Sequence, residues 1–337
     1  MSELRPELAE GKGRMTIHQE LAKVSPPRDT VLTIGTFDGV HLGHRQLLQR
    51  LKALAESSGF LSCVLTFRNH PRLVLNPGIK LSYLTTLEER VALLKGQGID
   101  LVIVVDFTHE LSLLKASEFV ALLSDYLKMK GLVVGPDFAL GHRREGDIPA
   151  LKRLGEGMGF WVRPMEPAQM DKAVISSSVI RSLMAQGDVE NASRMLGRWH
   201  SLTGLVVEGD RRGRLLGFPT ANLSVDANLA IPADGIYATW ATVEGQCYRA
   251  ATCIGVRPTF GVNSRTVEAF ILDFQGDIYG KPLTLEFARR LRAERAFPSV
   301  ETLVEQMKLD VEQTRAVLSS LVAGPKSPFG LQSPERG

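Results

Sequence analysis

Between Thr30 and about Arg181 the chain alternates short, almost wholly apolar runs with longer stretches whose apolar positions recur every three to four residues. The apolar runs, 30–37, 60–67, 100–107, 131–138 and 160–165, lack an in-out alternation, the pattern of strands covered on both faces. Residues 44–57 read as a helix: Leu47, Leu48, Leu51, Leu54 and Ala55 share one face, and Gly59 is placed to end it. A further helix starts at Thr85 or Thr86, each followed three residues on by a glutamate (Glu88, Glu89), the spacing of a capping box. Strands alternating with helices in this way predict an α/β fold, a doubly wound parallel sheet with helices on both sides.

The pattern changes after Gly187. Two short helical stretches, 177–186 and 189–196, lead into strand-like runs at 202–207, 235–243, 248–254, 267–274 and 283–287, separated by Gly, Pro, Asn and Asp. Short strands at that spacing predict a small antiparallel β-barrel. An amphipathic helix over 300–321 follows and packs on it, and the Pro-, Ser- and Gly-rich tail from Gly324 is expected to be disordered. The division expected is an amino-terminal extension (1–28), a parallel-sheet α/β domain (29–186), a barrel domain (187–323) and the tail (324–337).

Composition narrows the function. The 337 residues suffice for two domains with separate cores, and 44% hydrophobic with 23% charged residues is ordinary for a globular chain. A net charge of +3 with no concentrated basic stripe argues against nucleic acid as a partner. Three cysteines, Cys63, Cys247 and Cys253, without paired metal-ligand spacing indicate neither a disulfide framework nor a zinc site, and point to a reducing compartment. The charged amino terminus lacks the apolar stretch of a signal peptide, and no run approaches the ~18 apolar residues of a membrane span. A cytoplasmic protein acting on small molecules is expected, and an oligomer is compatible with everything above.

Two stretches carry chemistry. The first runs from Ile34 to His44, reading IGTFDGVHLGH, after a strand and into a helix, where doubly wound sheets bind ligands. Gly35, Gly39 and Gly43 let backbone approach a ligand closely, the helix start offers N–H groups to phosphate, and His41 and His44 add side-chain donors. Nucleotidyl transfer needs mainly positioning and charge neutralisation at phosphorus, which two imidazoles suit. A polar helix start without catalysis is the plain alternative, and a metal site lacks a third ligand nearby in sequence. The second stretch runs from Gly213 to Leu223, reading GRLLGFPTANL. It is not a Walker A loop, yet Gly213 and Gly217 permit close backbone contact, Pro219 stiffens the turn, and Thr220 and Asn222 are neutral oxygen ligands for a hard cation carried by ATP. Taken alone it fits an inter-strand turn equally well.

The first stretch resembles the HxGH signature of the nucleotidyltransferase superfamily. With Gly135-Pro136-Asp137-Phe138-Ala139-Leu140-Gly141, then Arg144, Gly146 and Asp147, and Ile175 through Arg181, it resembles the FMN adenylyltransferase part of bacterial bifunctional riboflavin kinase/FAD synthetases. The second stretch, with Val267 to Phe274, Asp277-Ile278-Tyr279-Gly280 and Leu291-Arg292-Ala293-Glu294, resembles the riboflavin kinase part, and the resemblance covers about residues 30–320 in family order. It implies phosphorylation of riboflavin to FMN by ATP, then transfer of AMP from a second ATP to FMN to give FAD, with Mg2+ at both steps. It further implies that His41 and His44 serve adenylyl transfer, that Gly35, Phe37, Asp38, Gly39, Gly43, Arg144, Ser177 and Arg181 surround that nucleotide, and that Asp137, His70 and Arg292 lie near flavin. In the barrel it implies Glu268 as the base, Thr220 and Asn222 as magnesium ligands, and Gly213, Gly217 and Pro219 at the second nucleotide. Four positions depart from the family pattern: Asn69 replaces a usual proline, Val179 a common arginine, Cys253 a usual asparagine and His200 a common tyrosine. Two rival readings stand beside it, a riboflavin kinase with an inactive or altered adenylyltransferase half and a non-catalytic flavin-sensing regulator. The regulator would lack His41, His44 or Glu268, and all three are present.

Overall fold

A computed structural model describes residues 15–321 except 172, 210–211 and 260–261. The expected disordered tail, 324–337, lies outside the described residues, as does the first half of the expected extension. Two compact units form, and neither is one continuous stretch: the first runs to Thr36 and adds Leu47–Ile79 and Gln97–Glu166, while the second takes Phe37–Gln46, Lys80–Gly96 and Pro167 onward.

The first unit is built on strands β1 (Thr30–Gly35), β2 (Leu61–Phe67), β3 (Leu101–Val105), β4 (Met129–Val134) and β5 (Trp161–Pro164). They form one parallel sheet in the order β3-β2-β1-β4-β5, with β1 in register with β2 from Thr30 opposite Leu61 to Gly35 opposite Thr66. β2 is buried at every position, as the absence of alternation predicts. The chain winds outward from β1 to β3 and then returns to β4, so the order reverses beside β1 and the crevice of the sheet opens there. Helices α1 (Leu42–Ser58), α2 (Leu87–Lys95), α3 (Ala116–Leu127) and α4 (Ile148–Met158) follow the first four strands in turn. On α3 the stripe Phe119, Val120, Leu123 and Leu127 joins the core of this unit, while Gly59 (φ +68°) ends α1 as expected. Of the two candidate caps for α2, the structure selects Thr86: its hydroxyl accepts from Glu89 N (3.1 Å) and the Glu89 carboxylate from Thr86 N (3.0 Å). In β4 a Cβ on Gly131 would lie 2.2 Å from the Trp161 ring. Gly131→Ala should therefore cost about 1–3 kcal/mol, read as a lowered Tm.

The second unit holds a closed six-stranded antiparallel barrel of β6 (His200–Val207), β7 (Ala221–Ser224), β8 (Gly235–Val243), β9 (Gln246–Thr259), β10 (Val262–Ile271) and β11 (Pro282–Arg292), in the order β6-β7-β10-β9-β8-β11. The β8–β9 hairpin turns through Glu244 (φ +50°) and Gly245 (φ +80°), the paired left-handed residues of a type I′ turn. Tyr237 and Phe287 meet edge to face (5.4 Å, 84°) in the barrel core with Leu202, Val206, Leu223, Val267 and Leu285. Helices α5 (Ser177–Gln186) and α6 (Val189–Leu196) precede the barrel, and α7 (Val300–Ser320) packs on it through Leu318 against Ala238 and Ala288.

Candidate functional site

In the second unit, the loop from Phe37 to His41 departs from ordinary backbone: Phe37 (φ +48°) and Val40 (φ +38°) are left-handed without being glycine. Such residues cost roughly 1–3 kcal/mol each and cluster at functional sites. Gly39 (φ +79°) completes the turn, since a Cβ there would also lie 2.8 Å from Leu84. Asp38 holds the loop: its buried carboxylate accepts from Leu84 N (2.9 and 3.1 Å), Thr85 N (3.3 Å) and Arg181 Nη1 (2.7 Å). Burial pushes its carboxyl pKa up, opposed by the Arg181 guanidinium and the Leu84 N–H. Ser177 Oγ donates to the Asp38 carbonyl (2.9 Å); the cap of α5 is Ser176, whose hydroxyl accepts from Val179 N, so the Ser177 hydroxyl is left for the loop.

The two imidazoles stack, with ring centroids 3.6 Å apart and planes at 16°. Nδ1 of His41 accepts from His44 N (3.3 Å), capping α1, and that bond leaves the proton on Nε2. Capping the helix and presenting an N–H donor are thus two functions of one ring. Gly43 makes this arrangement fit, because a Cβ there would press on the His41 ring at 3.2 Å. The Phe37 ring, itself buried, meets His44 edge-on (5.1 Å). Burial first, and the Arg198 and Arg181 charges after it, lower the His41 pKa to about 4. His44 falls well below its ordinary value through burial, then His41 and Arg198. Both rings are neutral at physiological pH, each with one N–H to offer, beside the first-turn N–H groups of α1 that the helix cannot use.

Gly35, His70 and Asp137 belong to the first unit and lie at or just beyond the carboxyl ends of β1, β2 and β4, one edge of the parallel sheet. His70 caps the short helix Pro71–Leu75 through Nδ1 (3.1 Å to Arg72 N). Asp137 is exposed, and its carbonyl accepts from Arg144 Nη2 (2.7 Å). The departure at Asn69 has a structural account: its amide donates to the Phe107 carbonyl (2.8 Å) and accepts from Phe107 N (2.9 Å), bracing the loops after β2 and β3. Val179 is 36% exposed on α5.

In the barrel, Thr220, Glu268, Gly213 and Arg292 line a cavity of about 400 Å³, within the range of small-molecule sites. Thr220 Oγ1 lies 3.4 Å from Glu268 Oε2, and Asn222 stands opposite Glu268 in the β7–β10 ladder. Gly209 leaves room for the Asn222 amide, which a Cβ would meet at 2.3 Å. Gly217 (φ +84°) supplies the left-handed turn before Pro219; these two and Asn222 do not line the cavity itself. Cys253 pairs across the β9–β10 ladder with Glu268, and burial with the Glu294 and Glu268 charges pushes its thiol up to about 12. Apolar walls come from Leu216, Phe218, Phe270, Phe297 and Met307. Arg292 is not free toward the cavity: it forms a two-pronged pair with Asp310 of α7 (2.9 and 2.7 Å) and stacks on Phe297 (5.6 Å). Asp310 was not legible as a site residue, although its signal was there, a carboxylate sharing the buried stripe of α7 with Thr314 and Leu318. Arg198, 3% exposed near the histidine pair, had no local signal at all. Among the described residues there is no cluster of three or more His, Cys, Asp or Glu suited to a metal.

A parallel sheet, a loop built for phosphate and a barrel holding a carboxylate among hydroxyl and amide oxygens define the class: a nucleotidyltransferase and a kinase on one polypeptide. Family models agree, FAD synthetase matching residues 23–179 and riboflavin kinase residues 196–318. The chain is 37% identical over 292 residues to a bifunctional riboflavin kinase/FMN adenylyltransferase of Pseudomonas fluorescens and 35% identical over 293 residues to that of Listeria monocytogenes, covering 86% of this chain and 93% of each relative. It also matches the crystal structure of a protein described as a macrolide-efflux protein from Streptococcus pneumoniae, at TM-score 0.82 and 32% identity over 88% of this chain and 97% of that one. No helix of the described residues is long and apolar enough to cross a membrane. The chain belongs to the bifunctional riboflavin kinase/FMN adenylyltransferase family, and its reactions are phosphorylation of riboflavin to FMN and adenylylation of FMN to FAD, with ATP as substrate of both.

Proposed function

We propose that the two reactions are divided between the two constellations: the histidine loop makes FAD, on a domain spanning 29–186, and the barrel cavity makes FMN, on a domain spanning 187–323. The observation that carries this is the cavity of about 400 Å³ that Thr220 and Glu268 line together with the aromatic rings of Phe218, Phe270 and Phe297, with Asn222 paired beside Glu268 in the ladder, in a part of the chain separate from the stacked imidazoles. Glu268 accepts the proton of the ribityl 5′-hydroxyl as that oxygen attacks the γ-phosphorus of ATP, ADP leaving. The aromatic walls Phe218 and Phe270 flank the flavin ring, and Arg292, fixed by Asp310, borders it. At the other site His41 Nε2–H and His44 donate to the phosphates as the FMN phosphate oxygen attacks the α-phosphorus, pyrophosphate leaving. Ser177 and Arg181 organise this loop through Asp38 and are placed to meet the nucleotide, and the roles of Asp137 and His70 at flavin and of Arg144 at ATP rest on the family resemblance.

The donor set in the barrel suits Mg2+: hydroxyl, amide and carboxylate oxygens, with one carboxylate rather than a cage, as expected of a cation that arrives with ATP and keeps its waters. When bound, the cation neutralises charge on the transferred phosphate. Three free thiols fit a reducing cytoplasm, and small molecules are the only partners the sites call for. Purified protein given riboflavin, ATP and Mg2+ should yield FMN and then FAD by chromatography; FMN without FAD would leave only the kinase half alive, and unchanged riboflavin would end the reading. With excess EDTA both steps should stop and return on adding Mg2+; turnover that survives chelation would remove the cation from the scheme.

A further inference from the structure

Arg198 follows the left-handed Gly197 (φ +68°) that ends α6 and lies two residues before β6, inside the stretch that matches riboflavin kinases. Its place is not explained by that half of the protein: it is absent from the lining of the kinase cavity, it is 3% exposed, and its Nη1 is sealed from solvent without a hydrogen-bond partner. A buried guanidinium N–H left unmet is costly and asks for a reason. The geometry supplies one. Gly197 packs on the first turn of α1 so closely that a Cβ would lie 2.5 Å from Leu42 and 3.3 Å from Arg45 Nη1. That turn is the one capped by His41, and in it Arg45 Nε and His44 Nδ1 are likewise sealed and unpartnered.

We propose that Arg198 is a positioning residue for adenylyl transfer, a side chain from the kinase-like stretch that holds the stacked His41–His44 pair in its working arrangement. This rests on the assignment of that pair to the nucleotide phosphates. The physical means is a fixed charge beside two rings that must stay neutral. A proton on His41 Nδ1 would remove the acceptor for His44 N–H, uncap α1 and turn the ring. Arg198 opposes that proton, being the largest influence on His41 after burial, and it acts on His44 as well. Its own pKa is lowered to about 10 by burial and Arg45, so it remains cationic at neutral pH, steadied by Glu89, Asp38 and Glu286. The other groups facing this cluster are Arg181 on α5, Arg90 on α2, paired electrostatically with Asp38, and His200 on β6, held neutral with its pKa near 3 by burial and by Arg198.

Arg198→Met and Arg198→Lys, assayed in the full chain for both half-reactions across pH with thermal melting alongside, test this. In Arg198→Met, kcat for FMN to FAD should fall about 10²-fold, the loss associated with a misplaced catalytic group, with KM for ATP changed much less. Riboflavin phosphorylation should stay within about twofold, since the kinase cavity is untouched. Loss of the charge moves the imidazole pKa values upward while burial still holds them below the ordinary 6.5, so the variant should acquire an acid limb below about pH 6 where the parent is still flat. Arg198→Lys should restore the flat profile and most of the rate. Adenylylation within twofold of the parent in Arg198→Met, or equal loss of both half-reactions with a lowered Tm and no new acid limb, would overturn the proposal. Should the double variant His41→Ala, His44→Ala still make FAD, the assignment of the pair falls and this falls with it; should that double variant be dead while Arg198→Met is not, only the role of Arg198 falls.

Discussion

Replacing Glu268 by alanine should lower the rate of FMN formation by about 10³-fold, within the 10²–10⁴ contributed by a positioned general base, while FMN-to-FAD conversion stays within about twofold. The expectation follows from where the carboxylate stands. Its Oε2 is 3.4 Å from the Thr220 hydroxyl, its ladder partner is Asn222, and it lines the cavity, so it faces any alcohol held there. A loss of 10³ is about 4 kcal/mol of transition-state stabilisation. Because the side chain borders a cavity instead of filling a core, truncation leaves no new void and the melting temperature should move little. Glu268→Gln sharpens the test: it keeps the volume and hydrogen-bonding reach but removes the basic oxygen, and should be nearly as inactive. Full activity of the glutamine variant would assign the residue to positioning alone. Equal loss of both half-reactions in either variant would contradict separate sites.

How much of this was legible in the chain depends on how local each signal is. The sheet strands were legible because fully apolar runs fit little else at that length, and each predicted run overlaps an observed strand, four of the five ending earlier than predicted where the crevice loops begin and β2 keeping its end at Phe67. β7 was missed: its four residues, Ala221–Ser224, sit inside the Gly-Phe-Pro-Thr-Ala-Asn stretch, whose turn-forming residues hide the pairing that β6 and β10 impose. β9 and β10 run longer than their apolar parts, since the ladder between them continues from Ile254 opposite Val267 to Thr259 opposite Val262 through polar sequence. The glycine and histidine spacing of the loop was legible for the same reason it works, the geometry of one turn of helix. Asp38 as the hub of that loop was not, because its partners Leu84, Thr85, Ser177 and Arg181 come from distant segments. Asp137, His70 and Arg144 were identified by resemblance, and the first two fall just beyond the ends of β4 and β2.

The reverse experiment, His41→Ala with His44→Ala, should lower FAD formation from FMN by at least about 10³-fold, given that one preorganised donor to a transition-state oxyanion is worth 10²–10³ and that donors acting together are not additive. Riboflavin phosphorylation should remain within about twofold. One complication is built into the site: His41 also caps α1 through Nδ1, so its loss should cost about 1 kcal/mol of stability as well. His41→Asn separates the two functions. Asparagine caps a helix as well as any residue but its amide ends short of where Nε2–H reaches, so this variant should regain the lost melting temperature and remain deficient in adenylylation. If it regains activity with stability, the histidine is a cap and nothing more. The pH profile gives a second check with a definite sign. His41 is held near 4 and His44 well below its ordinary value, so neither ring takes up a proton between about pH 6 and 8. Adenylylation by the parent protein should therefore show no imidazole step in that window; an acid limb centred near 6.5 would mean that the rings titrate as exposed histidines do, and that their neutrality is not what the buried, stacked geometry maintains.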